Sequence, residues 1–359
     1  MSVRRSSIVW LVLGIVLIMS GVLVRFVALP ALSKLPADFT ASQKYEGSIS
    51  ALNQQAFASN DLANLVGPTV AVTADRRLSV DAVDGDTAIV TTDTAINLPD
   101  GTQQKDVHTF AVNRVDFSPV PLTEQEMQAV VPAGERATFE PHEGVAFSFT
   151  PNPPADGNQI YDTVTMTGQS ATFTGEDTVA GRQVKRYEVD AAGPIQSPAL
   201  LAQFEQFPTQ LPKALVLGLL QAGIVPESSV PAVQEGLASL PERIAIGYGS
   251  TNSMSVAVDQ QFGTPLDIAQ TQGLYVTVPI DGQDVPILPL SVAKLHTAPA
   301  DVTAVADDLS KNATLLSAIG LWFPIVALTV GAGLIALAAL RWRRQVASES
   351  PDLELEPQH

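Results

Sequence analysis

The chain has few residues suited to acid–base, metal or nucleophilic chemistry, and none of them stands in a diagnostic pattern. Its four histidines are His108, His142, His296 and His359, and no two have the helical spacing of a metal site. His108 falls in a predicted strand, where we interpret it as a hydrogen-bonded structural residue. There is no cysteine, which excludes a thiol nucleophile, a disulfide and a thiolate-bound metal. We therefore predict no catalytic residue, no metal and no cofactor.

Carboxylates are abundant, but their placement is typical of a solvated surface. Pairs such as Glu176-Asp177 and Asp307-Asp308 occur in a chain with 37 acidic and 20 basic residues and a formal net charge of -17. A pair of carboxylates that hydrolyses a glycosidic bond would have to be brought together by the fold, which a sequence does not reveal. The acidic balance excludes nucleic acid as a partner, because binding it requires a basic surface.

Two apolar segments, one near each end of the chain, must position everything between them. The first runs from Ile8 to Val24 with a weaker extension to Leu29, and the second runs from Leu315 to Leu340 without a charge. Since about 20 apolar residues span a bilayer, both are predicted to be transmembrane helices, over residues 8–29 and 315–340. A cleaved signal peptide is the alternative for the first segment.

Arginines flank both apolar segments on their outer sides: Arg4 and Arg5 precede the first, and Arg341, Arg343 and Arg344 follow the second. Basic residues favour the cytoplasmic side of a membrane. We therefore predict a two-pass plasma-membrane protein in which residues 1–7 and 341–359 are cytoplasmic. Residues 30–314 would form an extracytoplasmic domain.

The extracytoplasmic domain is predicted to be rich in antiparallel strands. Asp84-Gly85 and Asp100-Gly101 are typical of tight hairpin turns. The fold class is α+β: a β-rich ectodomain, curled or barrel-like, with a helical insertion and a transmembrane helix on either side. The predicted strands are Thr69–Thr73, Leu78–Val83, Thr87–Leu98, Val107–Phe117, Val145–Phe149, Ile160–Met166, Ala171–Glu176, Arg182–Asp190, Arg243–Tyr248, Ser253–Gln260, Pro265–Gln270 and Leu274–Ile280.

The helical insertion covers about residues 197–240 and is unusually apolar. Apolar side chains recur there at helical spacing, and two interpretations stay open. The insertion is either a buried helical layer packed on the sheet or an exposed surface that admits a lipid or docks a partner. In the second case the candidate entrance residues are Leu200, Phe204, Phe207, Leu215 and Leu219.

Two stretches of the predicted sheet alternate between apolar and small or polar residues, so that their apolar side chains share one face. These side chains line either a filled core or an apolar tunnel, because both give the same period-two pattern. They are Val145, Phe147, Phe149, Met254, Val256 and Val258.

The sequence FTGEDTVAGRQVKRY, from Phe173 to Tyr187, reads as a strand, a glycine-containing turn and a strand that ends in an aromatic residue. Together with Asp75–Leu78 and the stretch Ser253–Asp259, it resembles an actinobacterial membrane-protein family of unknown function, labelled PorA-type. The turn Gln261–Pro265 departs from the family's proline-threonine-glycine order. The resemblance covers nearly the whole chain, and it implies the two anchors and the β-rich body. Its motifs are structural turns, so no functional residue is transferred.

The layout of the chain also resembles the class B scavenger receptors, which have two anchors and a β-rich ectodomain with a helical cap. That resemblance implies a lipid tunnel through the ectodomain. Such a tunnel has a physical purpose, because a sixteen-carbon chain costs on the order of 12 kcal/mol to expose to water at roughly 0.8 kcal/mol per CH₂.

The first functional hypothesis is a non-enzymatic envelope protein that binds a lipid or glycolipid and helps to transport or present it. The alternative is a structural or accessory subunit that docks a larger envelope transport or synthesis complex. A porin is less favoured, since two apolar helices offer no polar pore lining. A glycan-modifying enzyme is also less favoured, because no reactive pattern is visible.

Overall fold

The computed structural model describes residues 2–348. The chain divides into two compact units, one formed by the terminal segments up to Lys34 and from Leu309, and one formed by Leu35–Asp308. The predicted fold class is confirmed: a mixed α+β chain with a large antiparallel sheet and terminal helices that are apolar enough to span a membrane.

Residues 2–348 contain nine α-helices and thirteen strands. The helices are α1 Ser2–Leu23, α2 Leu29–Leu32, α3 Gln54–Ala58, α4 Glu124–Val130, α5 Pro198–Phe204, α6 Lys213–Gln221, α7 Val230–Gly236, α8 Pro299–Ser317 and α9 Phe323–Ser348. The strands are β1 Thr40–Ala51, β2 Val70–Asp84, β3 Thr87–Asn97, β4 Gln103–Asn113, β5 Gln159–Asp162, β6 Thr167–Ser170, β7 Thr172–Val179, β8 Arg182–Pro194, β9 Gln210–Pro212, β10 Arg243–Ala245, β11 Gly247–Asp259, β12 Pro265–Ile280 and β13 Gln283–Thr297. Short 3₁₀ turns occur at Leu62–Asn64, Arg136–Thr138, Glu227–Ser229 and Leu237–Ser239, and π-helical turns occur at Val24–Ala28 and Ala318–Trp322.

The terminal unit contains both candidate membrane spans, one over Val9–Ala28 and one within Pro299–Arg344. Helices α1 and α9 pack closely because glycines face each other. A Cβ atom added to Gly14 would lie 2.7 Å from the carbonyl oxygen of Gly331, so only glycine permits this approach. The C-terminal helix starts at Pro299, well before the predicted boundary at Leu315. Of the predicted cytoplasmic tail, residues 341–359, the first eight residues continue helix α9, and residues 349–359 lie outside the described residues.

The main sheet has nine strands in the order β4-β3-β2-β1-β13-β12-β11-β8-β7, and every neighbouring pair is antiparallel. Strands β1 and β13 join its two halves at the centre, and the sequence patterns above predict neither of them. Two further two-stranded sheets pair β5 with β6 and β9 with β10. The predicted hairpin turns are confirmed, since Gly85 and Gly101 both have positive φ between paired strands.

The sheet curls, so that strands distant in its order share one core. Tyr45 of β1 and Ala74 of β2 belong to the same buried cluster as Tyr187 of β8 and Val256 of β11. An irregular connection between β4 and β5, residues 114–158, which we call the crossover segment, packs on both faces of this sheet. Phe117, Ala146 and Phe147 pack on its inner, concave face, and residues 120–139 pack against Ile89 and Ala111 on the opposite face. The predicted strand Val145–Phe149 is wrong, because this part of the crossover segment makes only one isolated bridge, between Val145 and Ile160.

The insertion at residues 197–240 is a layer of helices packed on the sheet. Strands β9 and β10 pair with each other within and just after the insertion. The buried side chains of the insertion form one cluster with the C-terminal end of β12 and the first half of β13. We call this cluster the insertion core. Its fully or nearly fully buried members are Leu65, Leu211, Val216, Leu219, Val225, Val233, Leu240, Ile244, Val276, Val278, Ile280, Val285, Ile287, Leu288 and Leu290.

Candidate functional site

An apolar cavity of about 170 Å³ lies in the Leu35–Asp308 unit, between the curled sheet and the crossover segment. Its walls come from β1, β2, the start of β12, helix α8 and the crossover segment. The lining residues are Leu35, Phe39, Ala41, Ser42, Gln43, Arg76, Leu78, Phe117, Phe147, Ser148, Thr264, Pro265, Ile268 and Val305.

Two phenylalanines of the crossover segment form one wall. The rings of Phe117 and Phe147 meet edge to face with their centroids 6.0 Å apart. Phe117 has a φ of 60°, and its amide donates to the carbonyl of Asn113. Because such a conformation is costly for a bulky residue, the surrounding contacts must hold this aromatic side chain in place.

The cavity floor is fixed by the turn between β11 and β12. Asp259 is 1% exposed and accepts a hydrogen bond from Arg182 Nε at 2.7 Å. The same carboxylate accepts from the backbone amides of Gln261 and Phe262, and the Asp259 amide donates to the carbonyl of Thr264. Gly263 is required there, since it has a φ of 73° and an added Cβ would meet the carbonyl of Phe149.

Arg76 is the one cationic residue among the cavity's lining residues. On the inner face of β2 it follows buried Val72 and Ala74 and precedes half-buried Leu78. Within residues 2–348 the Arg76 guanidinium makes no ion pair and no hydrogen bond. Asp75 lies on the opposite face of β2 and accepts from Asn97 at 3.0 Å. Asp106 lies two strands away in the register, on β4, and is 2.9 Å from His108.

A titratable cluster lies one layer behind the cavity, where the inner face of β4 meets the crossover segment. His108 Nδ1 lies 2.7 Å from Glu140 Oε1, and the Tyr161 hydroxyl donates to Glu140 Oε2 at 3.2 Å. His108 Nε2 is 2.9 Å from Asp106 Oδ1, but it makes no well-aligned hydrogen bond, so Glu140 is the better-placed partner. These contacts fix the crossover segment to the edge strand of the sheet.

His142 also belongs to this cluster, since its ring meets the Tyr161 ring edge to face with the centroids 5.8 Å apart. Burial and neighbouring charges shift the pKa values of His108 and His142 in opposite directions. Burial disfavours the charged form of His108, but Asp106 and Glu140 together outweigh it and raise the pKa of His108 to about 9. Burial lowers the pKa of His142 to about 4. Burial, with the nearby Glu140 carboxylate, also raises the pKa of Tyr161. At neutral pH the cluster therefore holds an imidazolium, a neutral imidazole and a neutral phenol.

The five residues predicted at the entrance lie in the insertion and away from the cavity lining. Leu219 is fully buried in the insertion core, and Phe204, Phe207 and Leu215 are partly buried against it. Leu200 is half-buried on α5. The structure therefore gathers four of these five side chains around one packed cluster.

The six residues predicted to line a core or tunnel divide between two places. Phe147 lines the cavity. The other five belong to the buried cluster that joins β1, β8 and β11, either as members or packed against it: Val145, Phe149, Met254, Val256 and Val258.

Sequence reasoning missed most of the cavity. Leu35 and Phe39 follow the first apolar segment, and Val305 precedes the second. Their positions in the sequence suggest only connections between the membrane spans and the domain. Arg76 interrupts an alternating apolar pattern from Val72 to Val80. An arginine at an inward-facing strand position was the one signal that could have pointed to this site.

A family model described as porin PorA matches residues 6–340. The chain belongs to the porin PorA family. The match includes both candidate spans and the whole sheet-containing unit, in agreement with the resemblance carried by Phe173–Tyr187. No curated protein matches the chain.

Several solved structures show a distant similarity to the chain. They include a putative oleoyl thioesterase from Lactobacillus plantarum, 8% identical with a TM-score of 0.13 over 73% of this chain and 77% of that chain. An acyl-CoA hydrolase from Agrobacterium tumefaciens is 8% identical, with a TM-score of 0.14 over 73% of this chain and 97% of that chain. A MaoC-like dehydratase from Phytophthora capsici is 9% identical, with a TM-score of 0.12 over 72% of each chain. Scores this low do not establish a shared fold.

Proposed function

We propose that this family member is a membrane-anchored, non-enzymatic protein whose extracytoplasmic domain binds part of the apolar portion of a lipid or glycolipid and presents it. The observation that supports the proposal is the apolar cavity of about 170 Å³ with its phenylalanine wall. Leu35 and Phe39 follow the first candidate span closely in sequence, and Val305 lies in the helix that continues into the second.

The size of the cavity limits what it encloses. An apolar cavity of roughly 150 Å³ holds one benzene molecule, so about 170 Å³ accommodates about six carbon atoms. Shielding six methylene groups is worth about 5 kcal/mol, at roughly 0.8 kcal/mol each. This amount favours capture of one end of a chain. It falls short of the shielding that a carrier of a whole lipid would need, so presentation to a partner is the better description than solitary transport.

The titratable cluster supports a structural role more than an enzymatic one. His108 pairs with Glu140 and Asp106, and Tyr161 donates to Glu140, so these groups are engaged in joining the crossover segment to β4. A general base must instead reach a substrate proton through a hydrogen bond or one water. His108 is 8% exposed, which leaves it little access to a substrate.

The family description raises conduction as a second candidate function. The outward face of the central strands carries exposed polar residues in register, Ser253, Thr271 and Lys294, and a lipid-facing barrel wall would be apolar there. The candidate spans are apolar, so a pore would need several copies of the chain. We place conduction behind lipid presentation for these two reasons.

An accessory role in a larger envelope complex is the other alternative. Leu201 on α5 and Leu217 on α6 are 37% and 39% exposed on the outer surface of the insertion. Single exposed apolar residues are common on soluble surfaces, so they support docking only weakly. Presentation and docking are also compatible, because a lipid held by one end needs a recipient.

The deciding experiment is native mass spectrometry of the full-length protein with extraction of the bound small molecules. We expect a stoichiometric, chemically defined lipid on the wild type. Val305→Trp should lose it, because the larger side chain fills the cavity from α8. Ala304→Trp, the neighbouring exposed position, is the matched control and should retain the lipid.

Two results would contradict the proposal. One is a wild type that carries only detergent and bulk phospholipid. The other is a Val305→Trp variant that keeps the same defined lipid as Ala304→Trp, since that lipid would then occupy another site.

A further inference from the structure

Arg76 is the one charged residue among the lining residues of a mostly apolar cavity, and within residues 2–348 it has no ion-pair or hydrogen-bond partner. Its neighbours along the inner face of β2 are Ala74, which is buried, and Leu78, which packs against the buried cluster that contains Phe110. A charge taken out of water is destabilising unless a counter-ion or hydrogen-bond partners compensate it. Arg76 is half-buried on this face, and an arginine remains charged there.

The other polar groups near Arg76 do not compensate its charge. Gln43, opposite Arg76 in the strand register, accepts from the Tyr45 hydroxyl at 2.8 Å. Ser148 donates to the carbonyl of Gly263 at 3.2 Å. Thr264 also lines the cavity, and its hydroxyl makes no hydrogen bond within residues 2–348. The lining therefore holds a fork of guanidinium donors and a hydroxyl that are free for a ligand.

We infer that the cavity is built for an anionic amphiphile, with Arg76 binding a phosphate, sulfate or carboxylate group and the phenylalanine wall taking the first carbons of its chain. This inference rests on the proposed function and names the ligand class of the same cavity. Guanidinium groups bind such oxyanions through two parallel hydrogen bonds, and these bonds strengthen where water is excluded. The surface of the chain is acidic, with a net charge of -17, so free anions are repelled and the apolar contact must add to the affinity.

The adjacent residue supplies a matched control. Arg77 follows Arg76 directly but points to the opposite face of β2, where it is exposed. Replacing either arginine by glutamine removes one positive charge from nearly the same place in the chain. A difference between the two variants therefore reports the cavity and not the general electrostatic field of the domain.

The test is calorimetric titration of the full-length protein in nanodiscs of a zwitterionic lipid, with empty nanodiscs as background. The probes are hexyl phosphate, hexanol and inorganic phosphate. We expect Arg76→Gln to weaken hexyl phosphate binding by about tenfold or more, as for loss of a hydrogen bond to a charged group. Arg77→Gln should bind like the wild type, and hexanol should bind all three proteins alike. Arg76→Lys, which keeps the charge without the fork, should retain part of the affinity.

The outcomes separate the two proposals. If hexanol binds and Arg76→Gln leaves hexyl phosphate binding unchanged, the anionic ligand is wrong while the apolar cavity function stands. If neither hexanol nor hexyl phosphate binds, the proposed function fails together with the inference. If inorganic phosphate binds as tightly as hexyl phosphate, the site takes free anions and the amphiphile is excluded. Unchanged unfolding temperatures for Arg76→Gln and Arg77→Gln would verify that both variants are folded.

Discussion

The two ends of strand β12 differ in how tightly they are packed: one end lies in a filled core and the other lines a cavity. Val276, Val278 and Ile280, near its C-terminal end, belong to the insertion core, whose buried members are all aliphatic. Pro265 and Ile268, at its N-terminal end, line the cavity beside phenylalanines and an arginine. One strand thus takes part in a filled core at one end and in a ligand-sized space at the other.

The difference follows from what covers each end. Helices of the insertion present continuous aliphatic faces that interdigitate with the sheet, as close packing requires. The crossover segment has little regular structure and is held by separate contacts, such as the Phe149 amide to the Gly263 carbonyl at 2.9 Å. Irregular backbone tied at a few points leaves space between its attachments. We infer that stability is concentrated in the insertion core and function at the cavity.

The largest expected effect is loss of folding on charging the insertion core. Leu219→Asp would bury a carboxylate in an aliphatic cluster, and we expect the domain to fail to fold or to unfold at room temperature. Leu219→Ala should cost about 2–5 kcal/mol of unfolding free energy. Thermal unfolding of the full-length protein, followed by circular dichroism, measures both.

Leu217 on the same helix is the matched control for Leu219. It is 39% exposed, so Leu217→Asp should change the unfolding free energy by less than about 0.5 kcal/mol. If Leu219→Asp instead folds normally and loses bound lipid, the insertion is a ligand entrance and the contrast between the two ends of β12 collapses.

A smaller effect is expected at the turn that forms the cavity floor. Asp259→Ala removes the buried partner of Arg182 and two acceptor contacts to the turn, and should cost about 3–5 kcal/mol. Asp177→Ala breaks the exposed pair with Arg186, and solvent screening should leave the unfolding free energy nearly unchanged. Chemical denaturation of both variants compares a buried and an exposed ion pair in one domain, and equal losses would contradict the assignment.

The pH dependence of stability tests the cluster behind the cavity. The folded-state pKa of His108 is raised to about 9, so its contribution is fully present below pH 6.5 and is lost as the pH rises towards 9. The pKa of His142 is lowered to about 4, so its contribution is present above pH 6.5 and is lost as the pH falls towards 4. Together the two histidines predict that the unfolding free energy is largest near pH 6.5. The loss on the alkaline side and the loss on the acidic side are each worth about 3 kcal/mol, at roughly 1.4 kcal/mol per pKa unit.

Single variants separate the two arms of this profile. His108→Gln should flatten the alkaline side and leave the acidic side, and His142→Gln should do the reverse. Unfolding midpoints in urea between pH 4 and pH 9 give the profiles. An alkaline side that persists in His108→Gln would mean that another group causes it.

The smallest change in unfolding free energy is expected at Arg76. Whether the change is a gain or a loss is what tests the role of this residue. Because the guanidinium has no partner within residues 2–348, Arg76→Leu should leave the unliganded protein as stable as the wild type or more stable by up to about 1 kcal/mol. A loss of several kcal/mol would show that Arg76 holds the fold together. The residues that line the cavity would then stabilise the fold, as those of the insertion core do, and the two ends of β12 would not differ in role.

The sequence predicts the fold where local signals agree. Period-two patterns bounded by Asp-Gly turns give β3 and β4 to within a few residues, and the apolar insertion is found at its observed place. The two central strands escape prediction for physical reasons. β1 has few β-branched residues, and β13 contains Pro286 and Pro289, which the sheet accommodates beside irregularities in the β12–β13 register.

The cavity is harder to predict than the fold because no local pattern defines it. Its lining comes from elements that are far apart in sequence and meet only through the curl of the sheet. The sequence predicts Phe147 as a core or tunnel residue because it alternates with Val145 and Phe149. The backbone there is irregular, so Phe147 lies at the cavity while Val145 and Phe149 lie in a different cluster. Alternation alone cannot distinguish these destinations.

The placement of tryptophan has a practical consequence for spectroscopy. All three tryptophans, Trp10, Trp322 and Trp342, lie in the helical segments of the terminal unit. Tryptophan fluorescence therefore reports on the helical segments of the terminal unit, and the sheet-containing domain contributes no tryptophan emission. A tryptophan placed at Phe147 would emit against this background as the domain's own probe, and its spectrum would record directly whether the cavity is wet or occupied.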